Sequence, residues 1–276
     1  MPEDVAVFAV RRAGKSFSVD PVVIVHYGGD QKYTVVPAMN SPLPLQDWTA
    51  EDFNALENSY YKPKPTLTAF SGGERVGTMT VLGSDIQGRD GGCIDLSATV
   101  SYQGIKEPIL ATTTKGEISG HSSSRRAATA PEISILRSLA VKWFLDYGLD
   151  RQVVLRGHMQ HVSSTRLRPD HGRALIGRFD VISKLAIHRL FAIAETDQGR
   201  YRLTLANLEI QHDIGDGTDK TEREFLDQLD IDNDGADEII TIATHYESYE
   251  YDIWKFYENQ ADNVWRPHYH GIGGGC

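Results

Sequence analysis

The sequence predicts a mainly β protein in which two antiparallel β regions are joined by an amphipathic helix; a second, shorter helix makes it α+β by content. Three observations lead there. Short runs rich in Val, Ile, Thr and Tyr, punctuated by Gly and Asp clusters, fill the first 115 residues. One segment, Thr129 to Gly148, carries a full set of helix start and stop signals. From Arg151 onward, alternating and wholly apolar runs return. The chain therefore divides into an N-terminal β region with one short helix (1–115), a linker and amphipathic helix (116–150), and a C-terminal β-meander (151–276).

In the first region the expected strands are Val5–Val10, Pro21–Val25, Tyr33–Val36, Thr66–Phe70, Val76–Leu82, Ile94–Tyr102 and Pro108–Thr112. Clusters such as Gly28-Gly29-Asp30 and Gly72-Gly73 separate them, because Gly and Asp accept the backbone angles of tight turns. A helix interrupts the strands. Thr49-Ala-Glu-Asp52 resembles a capping box, Phe53, Leu56 and Tyr60 follow at helical spacing, and Pro63 and Pro65 end it.

The polar stretch from Gly116 to Ala128 reads as the linker. Thr129-Ala-Pro-Glu132 then supplies an N-cap, an early Pro and a Glu three residues on. Leu136, Leu139, Ala140, Trp143, Phe144 and Tyr147 form one apolar stripe for core packing, and Gly148 stands where a C-terminal cap belongs. In the third region Tyr201, Leu203 and Leu205 alternate with polar residues. Leu190–Ala194 and Ile239–Ala243 are apolar on both faces and read as central strands. Tyr251–Tyr257 and Val264–Tyr269 suggest an aromatic hairpin.

Composition excludes several classes. With 28 basic and 38 acidic residues the formal charge is −10, which leaves no basic footprint for nucleic acid. No run approaches the ~20 apolar residues of a membrane span, so no integral membrane segment is expected. The opening Met-Pro-Glu-Asp shows no signal peptide. Of the ten net charges, nine lie between Asp213 and Glu238, where 11 acidic residues face 2 basic ones.

That acidic stretch contains the one motif with chemistry in it, Asp230-Ile-Asp232-Asn-Asp234-Gly-Ala-Asp-Glu238. Carboxylates at loop positions 1, 3, 5 and 9 supply oxygen ligands to a hard cation, and Gly235 at position 6 permits the turn that folds them inward. The expected ligands are Asp230, Asp232, Asp234, the backbone carbonyl of Ala236, and Glu238. Calcium suits six to eight oxygens better than magnesium does. An EF-hand is excluded: position 12 is Thr241 rather than Glu, and the exit Ile239-Ile240-Thr241-Ile242 is strand-like.

These residues resemble the calcium loop of FG-GAP or VCBS-like repeats, in which Asp-x-Asp-x-Asp-Gly-x-x-(Asp/Glu) links two strands. The resemblance covers about 226–269, including the aromatic hairpin and Trp265. With its Asp20-Pro-Val-Val-Ile24 and Gly77-Thr-Met-Thr-Val81 segments in the first region, the whole chain also looks like uncharacterised bacterial secreted proteins that carry such a loop near the C-terminus. It implies calcium as cofactor and a secreted or periplasmic location, with the cytoplasm as alternative. Only one such loop occurs, with no internal period, so a single blade-like sheet is expected and not a propeller. Affinity of extracellular-type loops is expected near 10⁻⁴–10⁻³ M, roughly.

Other constellations are weaker. His158-Met-Gln-His161 lies in an expected strand, where positions three apart face opposite ways. His268 and His270 share a strand face, with His245 a candidate third. Asp213-Ile-Gly-Asp216-Gly-Thr-Asp219 is a second acidic loop, and Gly120-His-Ser-Ser-Ser124 lacks the frame of a nucleophile elbow. No nucleotide-binding glycine motif is present, and no catalytic residues are assigned. Cys93 and Cys276, the only cysteines, each follow glycines and are a candidate disulfide. The reading is a calcium-binding protein of binding or structural role, with a protein or carbohydrate ligand, leaning away from an enzyme. The alternative is a hydrolase whose site gathers dispersed His, Asp and Glu between the two regions.

Overall fold

Alternation of apolar and polar residues decides which faces of each strand are buried, and here it builds three sheets. The computed structural model of the chain describes residues 5–14, 16–27, 33–36, 49–88, 92–113, 118, 120–122, 124–169, 171–197, 199–212, 221–258, 264–270 and 273–275. Among the described residues, strands take 56% and helical turns 16%, which places the fold in the mainly β class.

Seven strands come from the first region: β1 (Val5–Ala13), β2 (Ser16–Tyr27), β3 (Tyr33–Val36), β4 (Thr66–Ser71), β5 (Glu74–Ser84), β6 (Ala98–Gly104) and β7 (Leu110–Thr113). Their order is β1-β7-β4-β5-β6-β2-β3, and β1 also pairs with β2. The ring β1-β7-β4-β5-β6-β2 therefore closes on itself as an antiparallel barrel, with β3 attached to β2. Phe8, Leu67, Met79, Val81 and Val100 fill its interior. Helix α1 (Ala50–Leu56), which runs into a π turn at Glu57–Tyr61, contributes Phe53, Leu56 and Tyr61 to the same core. Its start is as expected, with the Thr49 N–H donating to Asp52 at 2.7 Å.

The second sheet contains β8 (Arg126–Ala127), β9 (His158–Thr165), β10 (Ala174–Ile182), β11 (Ile187–Asp197) and β12 (Arg200–Gln211), in the order β12-β11-β10-β9-β8. Helix α2 (Ala130–Tyr147) packs on one face through Leu136, Ala140 and Phe144. The Thr129 N–H and hydroxyl both donate to Glu132, and Gly148 closes the helix in the left-handed region at φ 102°. The buried stripe is narrower than expected: Tyr147 is half-exposed and stacks on Trp143. A short helix, α3 (Arg151–Leu155), capped by Asp150, precedes β9 where a direct return to strand was expected.

The third sheet comprises β13 (Glu222–Leu229), β14 (Glu238–Thr244), β15 (Ser248–Tyr257) and β16 (Val264–His270), a four-stranded antiparallel meander of blade-like form, with β17 (Gly274–Gly275) paired to β15. No full propeller is formed. The 151–276 segment is thus not one meander but two sheets, and the 116–128 linker is not free of structure, since Arg126–Ala127 joins the second sheet. The reason is that β14 and β15 bury both faces. Ile240, Tyr251 and Ile253 pack against the barrel, while Ile239 and Trp254 pack against the second sheet. The third sheet is the middle layer, between the barrel on one side and the second sheet with α2 on the other.

Candidate metal centre

The acidic motif is the hairpin loop between β13 and β14, closed by the pairing of Leu229 with Glu238. Ile231, fully buried in the barrel-facing core, pins the loop from inside. Asn233 and Gly235 take the left-handed backbone conformation, at φ 56° and 90°, which turns the chain back so that its carboxylates converge. Gly235 thus has the role its motif position implies.

Each acid has a distinct place. Asp230 accepts from the N–H groups of Asp234 and Gly235, both at 3.0 Å. Asp234 accepts from the Ala236 N–H at 2.9 Å, and Glu238 from the Ile231 N–H at 2.8 Å. Ligand oxygens of Asp230, Asp232 and Glu238 lie within 4.8 Å of one another, which among the described residues is the one grouping of three or more acids, histidines or cysteines so placed. Asp234 is more exposed and stands at the rim, and Ala236 is held by its N–H. Oδ1 of Asp232 is buried and has no hydrogen-bond partner.

Burial raises the pKa values of two acids of the site. Glu238 is pushed up to about 8, by burial first and then by the negative charge of Asp232. Asp230 is pushed up to about 6, again chiefly by burial and then by its acidic neighbours, with the Gly235 N–H opposing. Carboxylates in this condition favour either a proton or a cation. One cation is supplied by the chain itself. Lys255 on β15 extends its ammonium to Asp232 Oδ2, to Asp234 Oδ2 at 2.6 Å and to Glu238 Oε1 at 3.3 Å. Sequence reasoning missed Lys255, because only the β14–β15 register brings position 255 beside a loop 17 or more residues earlier.

The donor set fits a hard divalent cation: all oxygens, at least three carboxylates, one of them with a buried orphan atom. Asp237, which the motif leaves unassigned, turns away from this group. Its buried carboxylate accepts from Gln228 Nε2 at 2.6 Å and pairs with Nε2 of half-exposed His121 at 2.6 Å. That hydrogen bond raises the His121 pKa, against burial, which lowers it.

The other sequence candidates do not converge. His161 lies 3.6 Å from Glu224, His245 contacts Thr221 and Glu250, and the His268 ring accepts from or donates to the Tyr257 hydroxyl. The side chain of His270 and the whole 213–220 segment, with its second acidic loop, lie outside the described residues. Cys93 is disulfide-bonded and no described cysteine is free. Its neighbour Ile94 pairs with Gly275, N–H to carbonyl at 2.6 Å and 2.9 Å; Cys276 itself lies outside the described residues. Among the described residues no helix is long and apolar enough to cross a membrane. No protein family, curated protein or solved structure matches the chain.

Proposed function

We propose that the Asp230–Glu238 hairpin is a calcium-binding loop of the FG-GAP/VCBS-like kind, and that the protein has a binding or structural role in which the ion stabilises the third sheet. The observation that carries this reading is the buried, unpartnered Asp232 Oδ1 beside Asp230 and Glu238. Asp230, Asp232, Asp234 and Glu238 would ligate through side chains and Ala236 through its carbonyl, with water filling the shell. An ion held by such a set anchors the loop from both of its ends. The position of the loop in the middle layer explains why its order matters to both neighbours: Ile231 and Leu229 face the barrel, while Ile239 faces the second sheet.

A secreted or periplasmic location goes with this reading, supported by the engaged Cys93 and by the pairing of Ile94 with Gly275, which directs the chain end towards Cys93. The partner of Cys93 is then Cys276, and the protein's own ligand is a protein or carbohydrate. Thermal melting in millimolar calcium and in EDTA tests the proposal. The midpoint rises with calcium in the natural chain and not in Asp232→Ala; equal midpoints would remove the metal.

One contact favours the hydrolase alternative. Buried Asp237 holding half-exposed His121 has the arrangement that a base and its orienting carboxylate take in hydrolytic sites. Among the described residues no serine hydroxyl hydrogen-bonds His121, so the calcium reading is preferred. An esterase screen with His121→Ala as control tests the alternative.

A further inference from the structure

Lys255 occupies the place in the loop that an ion would take. Its side chain is 16% exposed, and its three ammonium hydrogens are matched by three carboxylates, from loop positions 3, 5 and 9. Those three side chains are three of the proposed calcium ligands. Calcium–oxygen distances are about 2.3–2.6 Å, so an ion sharing Asp232, Asp234 and Glu238 stands within contact distance of the ammonium. Two positive charges so close repel strongly. Lys255 nevertheless leaves part of the set untouched: Asp232 Oδ1 has no partner, and Asp230 hydrogen-bonds only to backbone N–H groups of the loop among the described residues.

We infer that Lys255 is the resident cation of the loop, and that calcium enters by displacing its ammonium rather than by filling an open site. The inference rests on the calcium reading above and adds the exchange to it. Asp230 and Asp232 Oδ1 offer the incoming ion a first hold while the lysine is still in place. The ammonium then leaves on its flexible stem, and Asp234 and Glu238 complete the shell. Two properties follow. The loop keeps its shape without calcium, since a cation already neutralises part of the cluster. Calcium affinity is held below what the same oxygens would give without the lysine, so Lys255 sets the concentration at which the loop responds.

The experiment uses the full chain in two forms, natural and Lys255→Met, with calcium added in a calorimeter. In parallel, reductive methylation of the natural chain, read by mass spectrometry, reports the accessibility of Lys255 in EDTA and in saturating calcium. Removing a like charge at contact distance is expected to tighten calcium by about tenfold or more, and Lys255 should pass from protected to labelled when calcium is added. Equal affinity in both chains, or labelling of Lys255 that calcium does not change while calcium binds, overturns the inference and leaves the calcium reading intact. Calcium binding by Lys255→Met alone overturns the exchange, and with it the calcium reading for the natural chain. No binding by either chain overturns both. Should Lys255→Met fail to fold by circular dichroism, the labelling arm decides on the natural chain.

Discussion

The hydroxyl of Tyr251, on β15 of the middle sheet, donates to Asp20 Oδ2, on β2 of the barrel, at 3.0 Å. Asp20 is buried, and it also accepts from the Tyr249 hydroxyl at 3.2 Å and pairs with Arg11. Residues 231 positions apart are thus fastened by one carboxylate at the seam between two layers.

Removing that carboxylate leaves a guanidinium and two hydroxyls without their shared acceptor. Asp20→Ala is expected to cost about 2–4 kcal/mol, because two tyrosine hydroxyls lose a charged acceptor while the Arg11 guanidinium, 40% exposed, stays within reach of water. Tyr251→Phe, which removes one neutral donor, costs about 1–2 kcal/mol. Urea denaturation reads both. Equal losses in the two variants would show that Asp20 is not the centre of the clasp.

Ile239 and Ile240 are adjacent on β14 and fully buried in different cores. Each Ile→Ala is expected to destabilise by roughly 2–5 kcal/mol, although ordinary alternation would leave one of them exposed and nearly silent. A loss below about 0.5 kcal/mol at either position, the usual size of a surface change, would contradict the placement of this sheet between two others.

His121 supplies a pH dependence. The hydrogen bond with Asp237 raises its pKa above the ordinary histidine value. A raised folded pKa gives stability that is fully present below the unfolded value of about 6.5 and is lost as pH rises through the folded value. NMR titration of the imidazole should show a midpoint above about 6.5 in the natural chain and a lower one in Asp237→Asn. A natural midpoint at or below that value would mean the pair carries no such coupling.

Cys93 should be inert to alkylation until reduced. The unreduced chain is expected to take no iodoacetamide label and the reduced chain two, with Cys93→Ser costing about 2–4 kcal/mol as a bond that fastens the chain end is lost. Two labels without reductant would rule out the pairing with Cys276.

Local signals were readable and distant pairings were not. Thr129, Glu132 and Gly148 bounded α2 because capping is settled within a few residues. The two-sided apolar run Ile239–Ala243 marked a central strand because both of its faces must be covered. Barrel closure was hidden, since it depends on β1 meeting β7 and β2 meeting β6, registers separated by some 80 to 110 positions. The split of the last 126 residues into two sheets was hidden for a related reason: both halves alternate alike, and only their packing distinguishes them. Within the site the motif identified the acids, and Asp230, Asp232 and Glu238 do come together. The lysine among them lies on another strand, so no spacing within the motif reveals it.

Equilibrium dialysis of the natural chain against millimolar calcium, with Asp232→Ala alongside, tests the central proposal most directly. One calcium per natural chain and none in the variant is the predicted result. No calcium retained by the natural chain, or equal retention by both, would contradict a metal site at Asp230–Glu238.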